Sequence, residues 1–395
     1  MTVKGKVILK KGKEVSIQRF HPWVFSGAIQ KHEGPQTDGS WVEVVDFRDT
    51  TLGFGHYQNG SITVRILSFG REKPGENFWS TRFATALQMR RAAALPSHDT
   101  NAFRLVHAEG DGLPGLIIDY YNGVPVVQAH SAGMHLDRHD IASALQEVLQ
   151  GYIQAIYYKS HGTLPGNMRD GSSEEYLLGM GIVPHIIHEY NKKFYIDWEE
   201  GQKTGFFLDQ RENRKLLGSF CKDRKVLNTF CYTGGFSIYA LNAGATLVHS
   251  VDASEKAIDL TRKNLELNGF NPNLHQCFAN DTFDFLKDKK DVYDVIVLDP
   301  PAFAKHREAR HQAVKGYQRL NAEAMQKVRR GGILFTFSCS QVVDRQLFYD
   351  TIVSSAIQAG RQIKVLHHLS QPADHPVSIF HPEGEYLKGL VLFVE

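Results

Sequence analysis

The stretch Val226-Leu227-Asn228-Thr229-Phe230-Cys231-Tyr232-Thr233-Gly234-Gly235-Phe236-Ser237 decides the fold. Its first three residues read as a short buried strand, and the strand runs into a glycine turn that opens a helix. Paired glycines at such a turn let the backbone pass close to a ligand. The stretch lacks the G-x-G-x-x-G spacing of dinucleotide binders. Taken alone, it also fits an ordinary strand–helix turn. About 20 residues further on, the strand Leu247-Val248-His249-Ser250-Val251 ends in Asp252, where a carboxylate can accept hydrogen bonds from both ribose hydroxyls. An acid at a helix N-terminus would also favour the helix dipole. The glycine turn and the acid together point to nucleoside binding.

The same rhythm continues on the C-terminal side. A helix spans 254–268 with Ser254 as its N-cap, and Asp281 follows a third strand. Asp281 is placed to accept from an exocyclic adenine amine, and capping the helix 282–287 explains it almost as well. A strand spans 292–298, a helix 317–329, and Gly331-Gly332 precedes a strand over 333–337. Strand–helix alternation of this kind predicts a mainly parallel sheet with helices on both faces. Ligands of such sheets bind outside the carboxyl ends of the strands.

Toward the N-terminus the pattern changes. Residues 1–70 are strand-like and punctuated by glycine, as in Trp41-Val42-Glu43-Val44-Val45, which predicts a small β-rich domain. Arg71-Glu72-Lys73-Pro74-Gly75 reads as a linker. Residues 74–185 mix helices with strands, two of them joined by a Tyr-Asn-Gly turn, and predict a central α+β domain. The α/β unit occupies 186–395.

The 395 residues suit two or three domains. With 42% apolar and 22% charged residues the chain falls in the soluble globular range, and no apolar run is long enough to span a bilayer. The basic N-terminus has no apolar segment behind it, so it is not a secretory signal. The four cysteines, Cys221, Cys231, Cys277 and Cys339, form no C-x-x-C pair, so no metal site is expected. The chain reads as a cytoplasmic protein with free thiols. Lys4, Lys6, Lys10, Lys11, Lys13 and Arg19 are opposed in the first 20 residues only by Glu14. Such a strip suits phosphate contact, although on charge alone a solvated face is the commoner explanation.

Asp299-Pro300-Pro301-Ala302-Phe303 is the most specific local signal. Consecutive prolines after a strand stiffen the loop and fix its exit angle. A carboxyl and a carbonyl freed from helix bonding are then aimed at one place, where a target base fits and Phe303 can stack on it. A purely structural double-proline turn is the competing reading. Ser338-Cys339-Ser340 ends the strand 333–337 on the same side of the sheet. A lone cysteine is more often a small core residue, but this position across from the Asp-Pro-Pro loop makes Cys339 a candidate nucleophile. Cys231, beside the glycine turn, reads more simply as packing.

Seven separated stretches resemble the ribosomal RNA large-subunit methyltransferase I family, which makes 5-methylcytosine in 23S rRNA. They are 19–28 (Arg19-Phe20-His21-Pro22-Trp23 onward), 108–115, 203–211 ending in Asp209-Gln210-Arg211, 230–237, 299–303, 337–340 and Ala373-Asp374-His375-Pro376. The resemblance spans the whole chain. It implies an N-terminal PUA domain, a central α+β domain and a Rossmann-like methyltransferase domain with S-adenosylmethionine (SAM) as cofactor. It also implies Phe230, Tyr232, Thr233, Gly234, Gly235, Asp252 and Asp281 at the cofactor, with Asp209, Gln210 and Arg211 near it. Cys339 would be the nucleophile, adding to carbon 6 of the cytosine, and Asp299 could hydrogen-bond the ring nitrogen and stabilise the adduct. Pro300, Pro301, Phe303, Arg19 and Trp23 would face substrate RNA, either 23S rRNA or a large-subunit precursor. No membrane partner is implied, and a homodimer is compatible. One departure concerns Ala302: the family commonly has lysine there, which weakens any claim about the target nucleotide. Methylation of an exocyclic amine on guanine or adenine needs no cysteine and is the first alternative. A SAM-binding ribosome assembly factor is the second. A nucleotide-dependent oxidoreductase is disfavoured by the missing glycine spacing.

Overall fold

The computed structural model describes residues 2–169, 174–288, 292–304 and 306–395. It divides into two compact units. One comprises Met1–His188, Ile196–Leu208 and Ala373–Gly384, and the other Glu189–Tyr195, Asp209–Pro372 and Glu385–Glu395. The segments 196–208 and 373–384 thus pack with the N-terminal unit, although in the linear division they fall within 186–395.

In the first unit, strands β1 (Val3–Leu9), β2 (Trp23–Phe25), β3 (Ile29–Glu33), β4 (Trp41–Val45), β5 (Thr51–Tyr57) and β6 (Ile62–Phe69) form one sheet in the order β2-β6-β5-β4-β1-β3. A short helix, α1 (Glu14–Gln18), follows β1. Val7, Leu9, Ile17, Val42, Val44, Val64 and Ile66 fill its core. A second sheet, in the order β11-β10-β9-β8-β7, contains β7 (Ala102–His107), β8 (Leu116–Tyr121), β9 (Val124–Ala129), β10 (Ile156–Tyr158) and β11 (Glu175–Leu178). Asn122 and Gly123 both have positive φ, 44° and 97°, so the expected Tyr-Asn-Gly turn closes the β8–β9 hairpin with the twist that hairpins need. Helices α2 (Phe78–Ala92), α3 (Ala132–Leu136) and α4 (Arg138–Val148) accompany this sheet, and Trp79, Phe83, Phe103, Ile118, Val127 and Leu145 are buried together in its core. The chain passes between the units through a hairpin, β12 (His185–Glu189) and β13 (Lys192–Ile196).

The second unit is a seven-stranded sheet built from β14 (Lys225–Thr229), β15 (Leu247–Asp252), β16 (His275–Ala279), β17 (Tyr293–Leu298), β18 (Val328–Ser338), β19 (Ile363–Ser370) and β20 (Lys388–Val394). Their order is β16-β15-β14-β17-β18-β20-β19. Neighbours from β16 to β18 run parallel, and β20 is antiparallel to both β18 and β19. The helices are α5 (Arg211–Gly218), α6 (Gly235–Asn242), α7 (Glu255–Leu267), α8 (Thr282–Asp288), α9 (Arg310–Lys327) and α10 (Arg345–Ala359). Strand order reverses between β14 and β17, which creates a crevice at their carboxyl ends. Leu227, Ile296, Leu298, Tyr317, Leu320, Leu334, Phe348 and Leu392 are buried in one core.

Two elements differ from the sequence expectation. Helix α9 spans Arg310–Lys327 and not 317–329; its polar first turn carries little apolar periodicity and so hides the start in the sequence. Strand β18 runs through Gly331-Gly332 and does not start after them. The glycines are absorbed as an irregularity: pairing with β17 jumps from Tyr293↔Val328 to Val295↔Ile333, and Gly331 takes a φ of 76°. Among the described residues no helix is long and apolar enough to cross a membrane.

Candidate active site

The turn after β14 is held from three sides. Phe230, Tyr232 and Gly234 all have positive φ, at 54°, 47° and 77°. Two of these are bulky residues in a conformation that costs about 1–3 kcal/mol each and persists only where the surroundings impose it. The surroundings are explicit. Cys231 N–H donates to Val251 O at 3.0 Å. Tyr232 N–H donates to Asp252 Oδ2 at 3.0 Å. Thr261 Oγ1 donates to Tyr232 O at 2.8 Å, and Asn264 Nδ2 donates to Thr233 O at 3.0 Å. The two glycines also meet a packing demand. A Cβ on Gly234 would lie 2.7 Å from Thr261 Cγ2, and one on Gly235 would lie 2.9 Å from Arg214 Cδ. The other oxygen of Asp252 accepts from Ser254 N–H at 2.9 Å, so its half-buried carboxylate is fixed at the strand end with lone pairs to spare. Asp281 caps α8: its Oδ1 accepts from Phe283 N–H at 2.8 Å and Asp284 N–H at 3.2 Å.

Asp209-Gln210-Arg211, whose role the sequence leaves open, enters α5. Gln210 Nε2 donates to Asp299 Oδ1 at 3.0 Å, and its Oε1 accepts from Asn213 Nδ2 at 2.6 Å. Asp209 Oδ2 accepts from Tyr386 O–H at 2.6 Å. Asp209 Oδ1 is buried and makes no hydrogen bond among the described residues. Arg211 is buried and pairs with Glu212 at 3.2 Å. One turn on, Arg214 makes a buried two-point contact with Glu189 at 2.8 and 2.6 Å, and Tyr239 O–H donates to the same carboxylate at 3.0 Å.

Asp299 and Cys339 come together at the ends of β17 and β18. Cys339 Sγ lies 4.0 Å from Pro300 O, and Ser340 Oγ donates to Ala304 O at 2.8 Å, which ties the two loops. Phe303 rests on Tyr317, with ring centroids 4.6 Å apart, so part of its ring is already in contact with α9. Burial and the nearby Asp209 push Asp299 up to about 7, while the Gln210 hydrogen bond opposes them. The fold therefore favours the neutral carboxyl over its usual value of 3.8. The stability this contributes is complete below that value and is lost as pH rises through about 7. Asp299→Asn cannot ionise, so its unfolding midpoint is expected to exceed that of wild type near pH 8 and to match it near pH 4. A thermal-unfolding series over that range checks this, and parallel curves would contradict it. Burial, Asp299 and Asp209 push the Cys339 thiol up to about 11, with Lys388 acting in the opposite sense. Cys231 is buried against Thr261 and its thiol is pushed up further, which suits packing.

Arg19 and Trp23 belong to the first unit. Arg19 is exposed. The Trp23 indole N–H donates to Glu109 Oε1 at 2.9 Å and its ring lies 4.3 Å from that of His381. Trp23, Phe25, Lys13, Ser16 and Gly27 line a groove of about 430 Å³. Sequence reasoning missed Glu189, Arg214, Tyr386 and Lys388. Lys388 leaves a legible trace, as a lysine at the head of the apolar strand Lys388-Gly389-Leu390-Val391-Leu392-Phe393-Val394. The Glu189–Arg214 pair leaves none, because its partners are 25 residues apart on different elements.

Comparison with known proteins places this geometry. Residues 103–383 match the S-adenosylmethionine-dependent methyltransferase model and residues 7–69 the PUA-like domain model. The ribosomal RNA large subunit methyltransferase I of Pseudoalteromonas atlantica is 39% identical over 394 residues, covering 98% of both chains. The protein of that name from Tolumonas auensis matches equally, at 39% and 98% of both chains. The chain belongs to the ribosomal RNA large subunit methyltransferase I family. A Streptococcus mutans chain assigned as a SAM-dependent methyltransferase shares the fold, with a TM-score of 0.83 at 22% identity over 99% of this chain and 100% of that one. Members of the methyltransferase I family are SAM-dependent, and the residues fit that cofactor. Asp252 keeps lone pairs for two ribose hydroxyls, and the Phe230–Gly235 turn stands at the reversal point of the sheet. The unsatisfied Asp209 Oδ1 is an acceptor suited to a cationic amine.

Proposed function

We propose that this chain methylates carbon 5 of a cytosine in large-subunit ribosomal RNA through a covalent adduct on Cys339. The observation that carries the reading is the approach of Cys339 Sγ to the Asp299-Pro300-Pro301 loop, 4.0 Å from Pro300 O at the crevice mouth. Carbon 5 of cytosine is too weak a nucleophile to take a methyl group unaided. The Cys339 thiolate adds to carbon 6, the sulfur–carbon bond forms, and the displaced π pair makes carbon 5 enamine-like. Neutral Asp299 donates a hydrogen bond to the ring nitrogen that gains electron density, and its raised pKa keeps that proton in place near neutral pH. Bound SAM would supply the electrophilic methyl group that carbon 5 takes, its sulfur–methyl bond breaking to leave the neutral thioether S-adenosylhomocysteine. Loss of the carbon 5 proton to a base then restores the ring double bond as the sulfur–carbon bond breaks and the thiolate is released. Asp252 and the Phe230–Gly235 turn would hold the nucleoside of the cofactor, Asp281 would accept from its adenine amine, and Asp209 would take its amino group. The target base must leave its stack to reach this crevice.

The PUA-like domain supports RNA contact through the groove that holds Lys13, Trp23 and Phe25, with Arg19 exposed on the same domain. Cations supply salt-sensitive phosphate affinity and the aromatics supply stacking. Mapping of methylated nucleotides in rRNA, with and without the protein, tests the reading. A single 5-methylcytosine that depends on the protein is expected. A methylated exocyclic amine would replace it with the purine chemistry. For the cofactor half, Asp252→Ala is expected to weaken SAM binding by about 2 kcal/mol or more, because two hydroxyls lose a charged acceptor. Calorimetry on a folded variant that shows unchanged affinity would remove Asp252 from the site.

A further inference from the structure

Lys388 begins β20 directly opposite Ser338 of β18. The residue is 4% exposed, and its Nζ donates to Ser340 O at 2.7 Å. The ammonium therefore bonds the residue just beyond Cys339, having started opposite the residue just before it. A buried ammonium is normally matched by a carboxylate. Among the described residues, none pairs with this one. Glu385 pairs with Arg345, and Asp344 caps α10 by accepting from Leu347 N–H at 2.8 Å. Lys388 lines a cavity of about 240 Å³ with Arg345, Tyr349 and His368.

We propose that Lys388 is a positioning residue for Cys339: its ammonium, anchored on the Ser340 carbonyl, stabilises the sulfur in its thiolate form. The inference rests on the nucleophile reading above. Asp299 comes from β17, Asp209 from the turn before α5, Tyr317 from α9 and Lys388 from β20, and all four interact with the thiol electrostatically. Both carboxyl groups resist ionisation of the thiol, and Lys388 is the cation that favours it. Burial lowers Lys388 itself to about 8; the Cys339, Glu385 and Asp344 charges work against that shift and Arg345 adds to it. Below about pH 8 Lys388 keeps its protons, so the proton of a thiol that ionises there leaves to solvent and the ammonium offsets the new negative charge.

The test reads the thiol without turnover. Full-length protein is alkylated with iodoacetamide across a pH series, and the Cys339 peptide is quantified by mass spectrometry. Lys388→Gln can still donate to Ser340 O but has no charge. It is expected to slow Cys339 alkylation roughly tenfold at pH 7, below the Lys388 value of about 8, where the wild-type ammonium is charged. Lys388→Arg is expected to restore the rate. If Lys388→Gln fails to fold, Lys388→Met serves as the neutral variant. An unchanged rate at pH 7 in a folded neutral variant overturns the proposal, as does a Lys388→Arg rate lowered as far as that of Lys388→Gln. Failure of the nucleophile reading is separately visible, as methylation that survives Cys339→Ala.

Discussion

Cys339→Ala is expected to lower methylation by about 10⁴-fold or more, with SAM and RNA still bound. Removing a covalent nucleophile removes the step itself, so the loss is of the size seen when nucleophiles are deleted from other covalent enzymes. The side chain is partly exposed at the end of β18, and its loss leaves no charge behind. Its contact with Pro300 O is long, at 4.0 Å, so the fold loses little. The effect should thus appear in kcat and leave SAM affinity unchanged. Single-turnover assays with SAM binding measured by calorimetry separate the two. Near-normal turnover would transfer the chemistry to Asp299 and Phe303 acting on an exocyclic amine.

The second large effect concerns stability. Glu189→Ala is expected to destabilise the second unit by about 3–5 kcal/mol, because it strands the buried Arg214 guanidinium. Arg214 and Glu189 are both buried and joined by two hydrogen bonds, and Tyr239 would lose its acceptor as well. For a unit of this size the loss corresponds to a midpoint about 10 °C lower. Calorimetric unfolding measures it. Glu189→Ala combined with Arg214→Met should recover much of the loss, since no charge is then left unpaired. Arg214 Cδ also backs Gly235, so the single variant should loosen SAM binding too. A change below about 1 kcal/mol would mean that water reaches the guanidinium.

The parts of the site that obey local rules were legible in the sequence. The strand–glycine turn–helix at 226–237 and the acid at Asp252 report the switch point, because in a parallel sheet the residues after each strand must line the crevice. The Asp-Pro-Pro loop was legible for the same reason. Asp281 shows the limit of such reading: the helix-capping geometry is realised, and a cap and a ligand contact use the same residue type at the same position. Asp209-Gln210-Arg211 carried a motif without a role, because the partner of Gln210 is Asp299, 89 residues away. The sequence suggests that the glycines make room for ligand approach, yet Thr261 and Arg214 occupy the space beside them, a constraint visible only once α7 and α5 are docked. The sequence offers Phe303 as a stacking face, and Tyr317 already touches it. Lys388 stands out in the sequence only as a lysine heading an apolar strand; its place beside Cys339 depends on the antiparallel register of β20 against β18.

The central claim is that Cys339 forms a bond to carbon 6 of a cytosine, and a trapping experiment tests it most directly. An rRNA substrate carrying 5-fluorocytosine at the methylated position is incubated with protein and SAM, then denatured and resolved by mass. Methyl transfer can proceed, but fluorine cannot leave as a proton does, so the sulfur–carbon bond persists. The account predicts a covalent protein–RNA species with wild type, mapped to the Cys339 peptide, and none with Cys339→Ala. Wild-type protein that methylates the unmodified RNA but forms no adduct with the fluorinated one would contradict it.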